Sequence, residues 1–71
     1  MKDIMLLEKI EHEEARKVAE GTGYDWNDLL DFEGLRELKR RLYFADEEEC
    51  RERFRNYFEN LIRDLQYYDN N

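Results

Sequence analysis

Proline is absent from this 71-residue chain, and cysteine and histidine occur once each, as Cys50 and His12. A lone cysteine excludes an intrachain disulfide, and a lone histidine leaves no His/Cys set from which a zinc site could be built. Two common staples are therefore missing at a size where folding buries only about 60% of the surface that the unfolded chain exposes. Long hydrophobic runs are missing too. The longest, Ile4-Met5-Leu6-Leu7, falls far short of the roughly 18 apolar residues of a membrane span. It is also too short for the core of a signal peptide, and no small-residue cleavage site follows it. Together with the unpaired thiol, this gives the expectation of a reducing cytoplasm and no membrane partner.

Charge of one sign dominates what is present. Twelve Lys and Arg stand against 19 Asp and Glu, for a formal net charge of −7. Charged residues make up 44% of the chain, a share that alone would suggest disorder, but 41% is hydrophobic and 14% aromatic. That apolar content argues for a packed core. The charge opposes non-specific attraction to nucleic acid or to an anionic membrane, and it favours a partner protein with a basic surface.

Punctuation falls to the three glycines. Gly21-Thr22-Gly23 is a clear break, because glycine past a periodic segment adopts the positive φ of a helix cap without a Cβ clash. The first helix is expected over about residues 3–20. Its apolar stripe of Ile4, Leu7, Ile10, Val18 and Ala19, with Ala15, thins around Glu11, His12, Glu13 and Glu14, as though that stretch were only partly covered. Asp25 is placed to cap a short helix over about 26–33, and Gly34 is expected to end or kink it. Leu35, Leu38 and Leu42 carry the next helix, about 35–44. Asp46 with Glu49 three residues later resembles a capping box, and three glutamates favour the positive end of the helix dipole. The last helix, about 47–68, carries the wide stripe Cys50, Phe54, Tyr57, Phe58, Leu61, Ile62, Leu65 and Tyr68, and at roughly 30 Å it should be the spine. The fold expected is one all-α domain, a small antiparallel bundle of three to four helices with a long C-terminal helix.

Catalytic readings find little support. Glu8, Glu11, His12 and Glu14 have helical spacing for metal ligands, but a di-metal bundle needs Glu-x-x-His on two helices and there is no second histidine. The expected state is a solvated helix face, with no metal and no cofactor. Cys50 and His12 lack a third group and an oxyanion hole, and three nearby glutamates oppose a thiolate, so Cys50 is read as a small core hydrophobe. Gly21-Thr22-Gly23 lacks the lysine and spacing of a phosphate loop. The chain is therefore read as non-enzymatic.

Binding readings have more to draw on. Residues 1–34 hold four bases and ten acids, whereas residues 35–71 hold eight bases and nine acids. In the acidic half, Asp25, Asp28, Asp31 and Glu33 crowd together, with Tyr24 and Trp26 as aromatic anchors of the kind enriched at hot spots. These six residues are the leading partner-binding set, although Trp26 could instead cap the core. In the other half Arg36, Lys39, Arg40, Arg51 and Arg55 form the alternative, a basic strip able to hold phosphates. Against that, i,i+4 pairs (Glu37 with Arg41, Glu47 with Arg51, Glu49 with Arg53, Glu59 with Arg63) would neutralise part of it. Tyr43, Phe44, Tyr57, Tyr67 and Tyr68 exceed what one small core can hide, so association with a partner or a second copy is expected. The resulting expectation is a small acidic inhibitor or regulator, of the anti-defence or anti-CRISPR kind carried by phages and mobile elements. It would bind a basic, nucleic-acid-binding partner protein. The alternative is a homodimeric nucleic-acid-binding regulator.

Overall fold

Local chemistry sets the ends of each element. The structure, a computed structural model, describes residues 3–69. Helix α1 spans Ile4–Ala19, helix α2 Glu33–Leu42 and helix α3 Glu47–Asp69; among the described residues the one other helical element is a 3-10 turn at Asp28–Asp31. There is no strand among these residues.

The Asp3 carboxylate accepts from the amides of Met5 (3.0 Å) and Leu6 (3.2 Å), capping α1. The helix ends where expected, as Gly21 (φ 80°) and Gly23 (φ 85°) take the left-handed conformation. Between them, the Thr22 hydroxyl donates to the Ala19 carbonyl at 2.7 Å and accepts from the Tyr24 amide at 3.2 Å. Asp46 caps α3, its carboxylate accepting from the Glu49 amide at 2.8 Å.

The middle of the chain departs from the sequence expectation. The segment expected to be helical over 26–33 is only the 3-10 turn, and the break falls at Phe32, whose backbone is extended (φ −95°, ψ 140°). Gly34 neither ends nor kinks a helix. It lies in the first turn of α2, where an added Cβ would sit 3.1 Å from the Tyr57 hydroxyl oxygen and 3.3 Å from its ring. The glycine leaves room for the close approach of a ring from α3, a contact that helix propensity does not reveal.

The core joins all the elements. Leu7, Ile10, Ala15 and Ala19 of α1 meet Leu29, Leu35 and Leu42, and Cys50, Phe54, Phe58 and Ile62 of α3. Phe54 and Phe58 stack with ring centres 6.2 Å apart. Most inter-helix contact is between α1 and α3, and α2 touches α3 much less. The radius of gyration, 12.1 Å, exceeds the roughly 11 Å typical of a domain this size; the 23-residue α3 sets the long dimension.

The thinning of the α1 stripe does not mark an uncovered stretch. Glu11 is 2% exposed and Glu14 0%. Both carboxylates belong to the interior, which corrects the expectation that this face is solvated.

Candidate functional site

A buried carboxylate must be matched by cations or donors, and here the bases of the chain supply them. Glu14 Oε1 accepts from Arg55 Nε at 3.1 Å, and its Oε2 lies 3.4 Å from Arg51 Nη1 and 3.3 Å from Lys17 Nζ. Arg51 also donates to Glu13 at 2.9 Å and to Glu47 at 3.1 Å. The hydrogen bond from Arg51 holds the Glu13 carboxyl below its ordinary value, and the same partners raise the arginine further. Lys39 Nζ of α2 stands 3.3 Å from Glu11 Oε2, within ion-pair reach. That oxygen nonetheless has no aligned hydrogen bond. Burial pushes the Glu11 carboxyl up, outweighing the attraction of Lys39 and His12.

Three of the five residues of the basic strip, Lys39, Arg51 and Arg55, are thus paired with glutamates of α1. Arg36 makes no ion pair among the described residues, and Arg40 has only Glu37 at 3.9 Å. Of the local pairs expected from spacing, Glu47 with Arg51 forms; Glu37 reaches Arg40 rather than Arg41, and Arg63 donates to Asn60 rather than meeting Glu59.

The acidic set has a different setting. Asp25 accepts from the Asn27 amide at 3.0 Å but caps no helix, because the 3-10 turn begins at Asp28 with Asn27 as its N-cap. Asp28, Asp31 and Glu33 are exposed and make no ion pair among the described residues. Both anchors are turned to internal work. Trp26 is half-buried, with the Arg16 guanidinium 4.5 Å from its ring centre and the His12 ring 5.4 Å away. The Tyr24 hydroxyl donates to the Asp69 carboxylate at the end of α3, an interaction that raises the tyrosine above its ordinary value.

Sequence reasoning passed over Phe32, which is 39% exposed and lies between Asp31 and Glu33. It borders a groove of about 380 Å³. Leu30, Leu35, Asp31, Glu33, Arg36 and Lys39 line it with Phe32; Leu35 is buried, Leu30 and Lys39 half-buried, and the other three exposed. The groove therefore brings part of the acidic set and part of the basic set together. The available signal was an aromatic residue flanked by two acids just before a helix.

The groups weighed for nucleophilic chemistry are committed elsewhere. The Cys50 thiol is fully buried, facing the carbonyl oxygens of Leu42 (3.6 Å) and Ala45 (3.9 Å), and burial raises its pKa. His12 packs on Trp26 and stands 3.5 Å from Glu11. No helix among the described residues is long and apolar enough to cross a membrane.

These features define an all-helical protein held by an internal carboxylate–guanidinium network, with an acidic, partly apolar groove on its surface. In comparisons with protein-family models, curated proteins and solved structures, nothing matches this chain.

Proposed function

We propose that the chain is a non-enzymatic interaction protein, a small acidic inhibitor or regulator that presents Asp28, Asp31 and Glu33, with Asp25 beside them, to a basic surface of a partner protein. One observation carries this reading: the interior carboxylates consume Lys39, Arg51 and Arg55, while the carboxylates around the 3-10 turn are left exposed without a cation. Trp26, packed on Arg16 and His12, and Tyr24, bonded to Asp69, steady this segment. Size and charge support the narrower assignment to the anti-defence inhibitors of phages and mobile elements. Such a target would carry arginines and lysines spaced for phosphates, which exposed carboxylates can occupy.

The test is recovery of the partner from the source cell, followed by binding of the purified partner to the chain and to an Asp28→Lys, Asp31→Lys, Glu33→Lys variant. The expected result is a basic partner whose affinity falls at least about tenfold with the variant and falls with added salt. Unchanged affinity removes this face from the interface.

A second reading keeps nucleic acid as the partner, through Arg36, Arg40 and Arg41, which remain exposed on α2. Salt-sensitive binding of duplex or single-stranded oligonucleotides, lost in an Arg36→Ala, Arg40→Ala variant, would favour it. A third element of the proposal is association: Ile4, Met5, Phe44, Tyr67 and Tyr68 are exposed, Phe44 at 79%, and a second copy would cover apolar surface of this kind. The same reading takes α2 and α3 as an antiparallel pair, supported by Gly34 meeting Tyr57 and Leu42 meeting Cys50.

A further inference from the structure

The groove beside Phe32 has a composition that selects its occupant. Its volume, about 380 Å³, lies near the low end for binding clefts, enough for a few side chains of a peptide segment. Its apolar surface comes from half-buried Leu30 and the exposed ring of Phe32, Leu35 being only 3% exposed. Asp31 and Glu33 carry charges that nothing in the described chain neutralises. Lys39 is held by the buried Glu11, so its charge is already answered from within. Among the described residues lining the groove, Arg36 is the one cation without an ion pair. The free charge of the lining is therefore two acids to one base, beside the exposed ring of Phe32.

Resting on the interaction reading above, we infer that this groove docks a basic, apolar segment of a partner protein. An arginine or lysine is placed between Asp31 and Glu33 with its stem against Phe32, and a neighbouring aliphatic side chain packs on Leu30. Charge complementarity sets the class of occupant. A phosphate backbone brought to the same groove faces two acids without an ion pair, Asp31 and Glu33, against one such base, Arg36, and an acidic segment meets the same repulsion. The aromatic ring adds a cation–π contact for the basic group, and burial of the aliphatic side chain supplies the part of the affinity that salt does not screen.

The experiment is an amide-shift titration of the whole chain with three probes: a capped tetrapeptide alternating leucine and arginine, the same peptide with glutamate for arginine, and a short DNA duplex. The arginine peptide is expected to shift the amides of Phe32, Leu35 and Arg36 in a saturable way, and the other two to leave them in place. Phe32→Ala is expected to weaken that peptide by about tenfold, with Phe32→Leu recovering part of the loss. Circular dichroism checks that each variant remains helical, and because Phe32 contributes only its carbonyl to α2 (from the Leu35 amide, 3.1 Å) the backbone contact survives substitution. Shifts scattered away from the groove, equal response to the glutamate peptide, or response to the duplex would overturn the proposal. The failures are separable. If the natural partner loses affinity with Asp28→Lys but is indifferent to Phe32→Ala, the acidic-face reading survives and the groove assignment is wrong.

Discussion

Arg55 donates its Nε proton to Glu14 Oε1 at 3.1 Å, joining α3 to α1 through a carboxylate with no exposed surface. Arg51 approaches the other oxygen of the same group. Two arginines that spacing assigns to a phosphate-binding strip are in this way structural counter-ions.

The first prediction concerns how these two arginines share one buried charge. With Arg55→Ala or Arg51→Ala alone, Glu14 keeps one guanidinium and Lys17, and the loss should be about 1 kcal/mol. With both removed, a buried carboxylate retains only an exposed lysine, and the loss should reach about 3 kcal/mol. Urea unfolding of the four proteins measures the excess over additivity, expected at about 1 kcal/mol. Strict additivity would mean that the two contacts act independently and that Glu14 is hydrated when one is lost.

Glu11 gives a pH prediction with a defined sign. Burial raises its folded-state pKa above the ordinary value of 4.5, so the charged form is held at a cost that the unfolded chain does not bear. The stabilisation linked to this group is present below 4.5 and is lost as pH rises through the raised value. Glu11→Gln, which keeps the shape without the charge, should therefore be more stable than the parent at neutral pH. The gap should close in acid. Denaturant midpoints at acid and neutral pH decide it, and a less stable Gln variant at neutral pH would show that the Lys39 attraction outweighs desolvation.

How much of this was legible follows from the range of each interaction. Asp25 binds an amide two residues on, but the helix expected after it is only a 3-10 turn capped at Asn27. Gly21 and Asp46 act on turns and amides within a few residues of themselves, so capping rules place them correctly. Glu11 and Glu14 do not. Their burial depends on Lys39, Arg51 and Arg55, up to 41 residues away, and an interrupted apolar stripe looks the same whether the interruption faces water or a guanidinium. Gly34 misleads for the same reason: the residue that explains it, Tyr57, is on another helix. Phe32 could have been singled out as an aromatic residue between two acids, but only the fold shows that it stays at the surface beside an open groove.

Gly34 and Tyr57 supply the third prediction. An alanine at 34 gains helix propensity, up to about 1 kcal/mol in a helix interior and less in a first turn. It also forces the Tyr57 hydroxyl, 3.1 Å from the new Cβ, to move. Gly34→Ala should accordingly be near neutral in the parent and stabilising by about 0.5 kcal/mol in a Tyr57→Phe background. Thermal unfolding of the four-protein cycle tests this. An equal effect in both backgrounds would show that the hydroxyl does not limit the site.

The last prediction uses Tyr24, which ties the loop after α1 to the final turn of α3 through Asp69. The contact is at the surface, so its loss should leave global stability nearly unchanged. Its effect should instead be local, because helix ends open with little free energy unless something holds them. In Tyr24→Phe, amide exchange should accelerate over the last turn of α3 and over residues 22–24, while the exchange of Phe54 and Phe58 in the core stays as it was. The phenol itself should titrate above the ordinary 10.0 because Asp69 accepts its proton in a hydrogen bond. Stability linked to this group is present below that value and lost as pH rises past it. Replacing Asp69 with Asn should bring the titration, followed by phenolate absorbance, back toward 10.0. If the titration does not move, the pairing is not maintained in solution, and the segment carrying Asp25 and Asp28 is held to the bundle by Trp26 and Leu29 without help from α3.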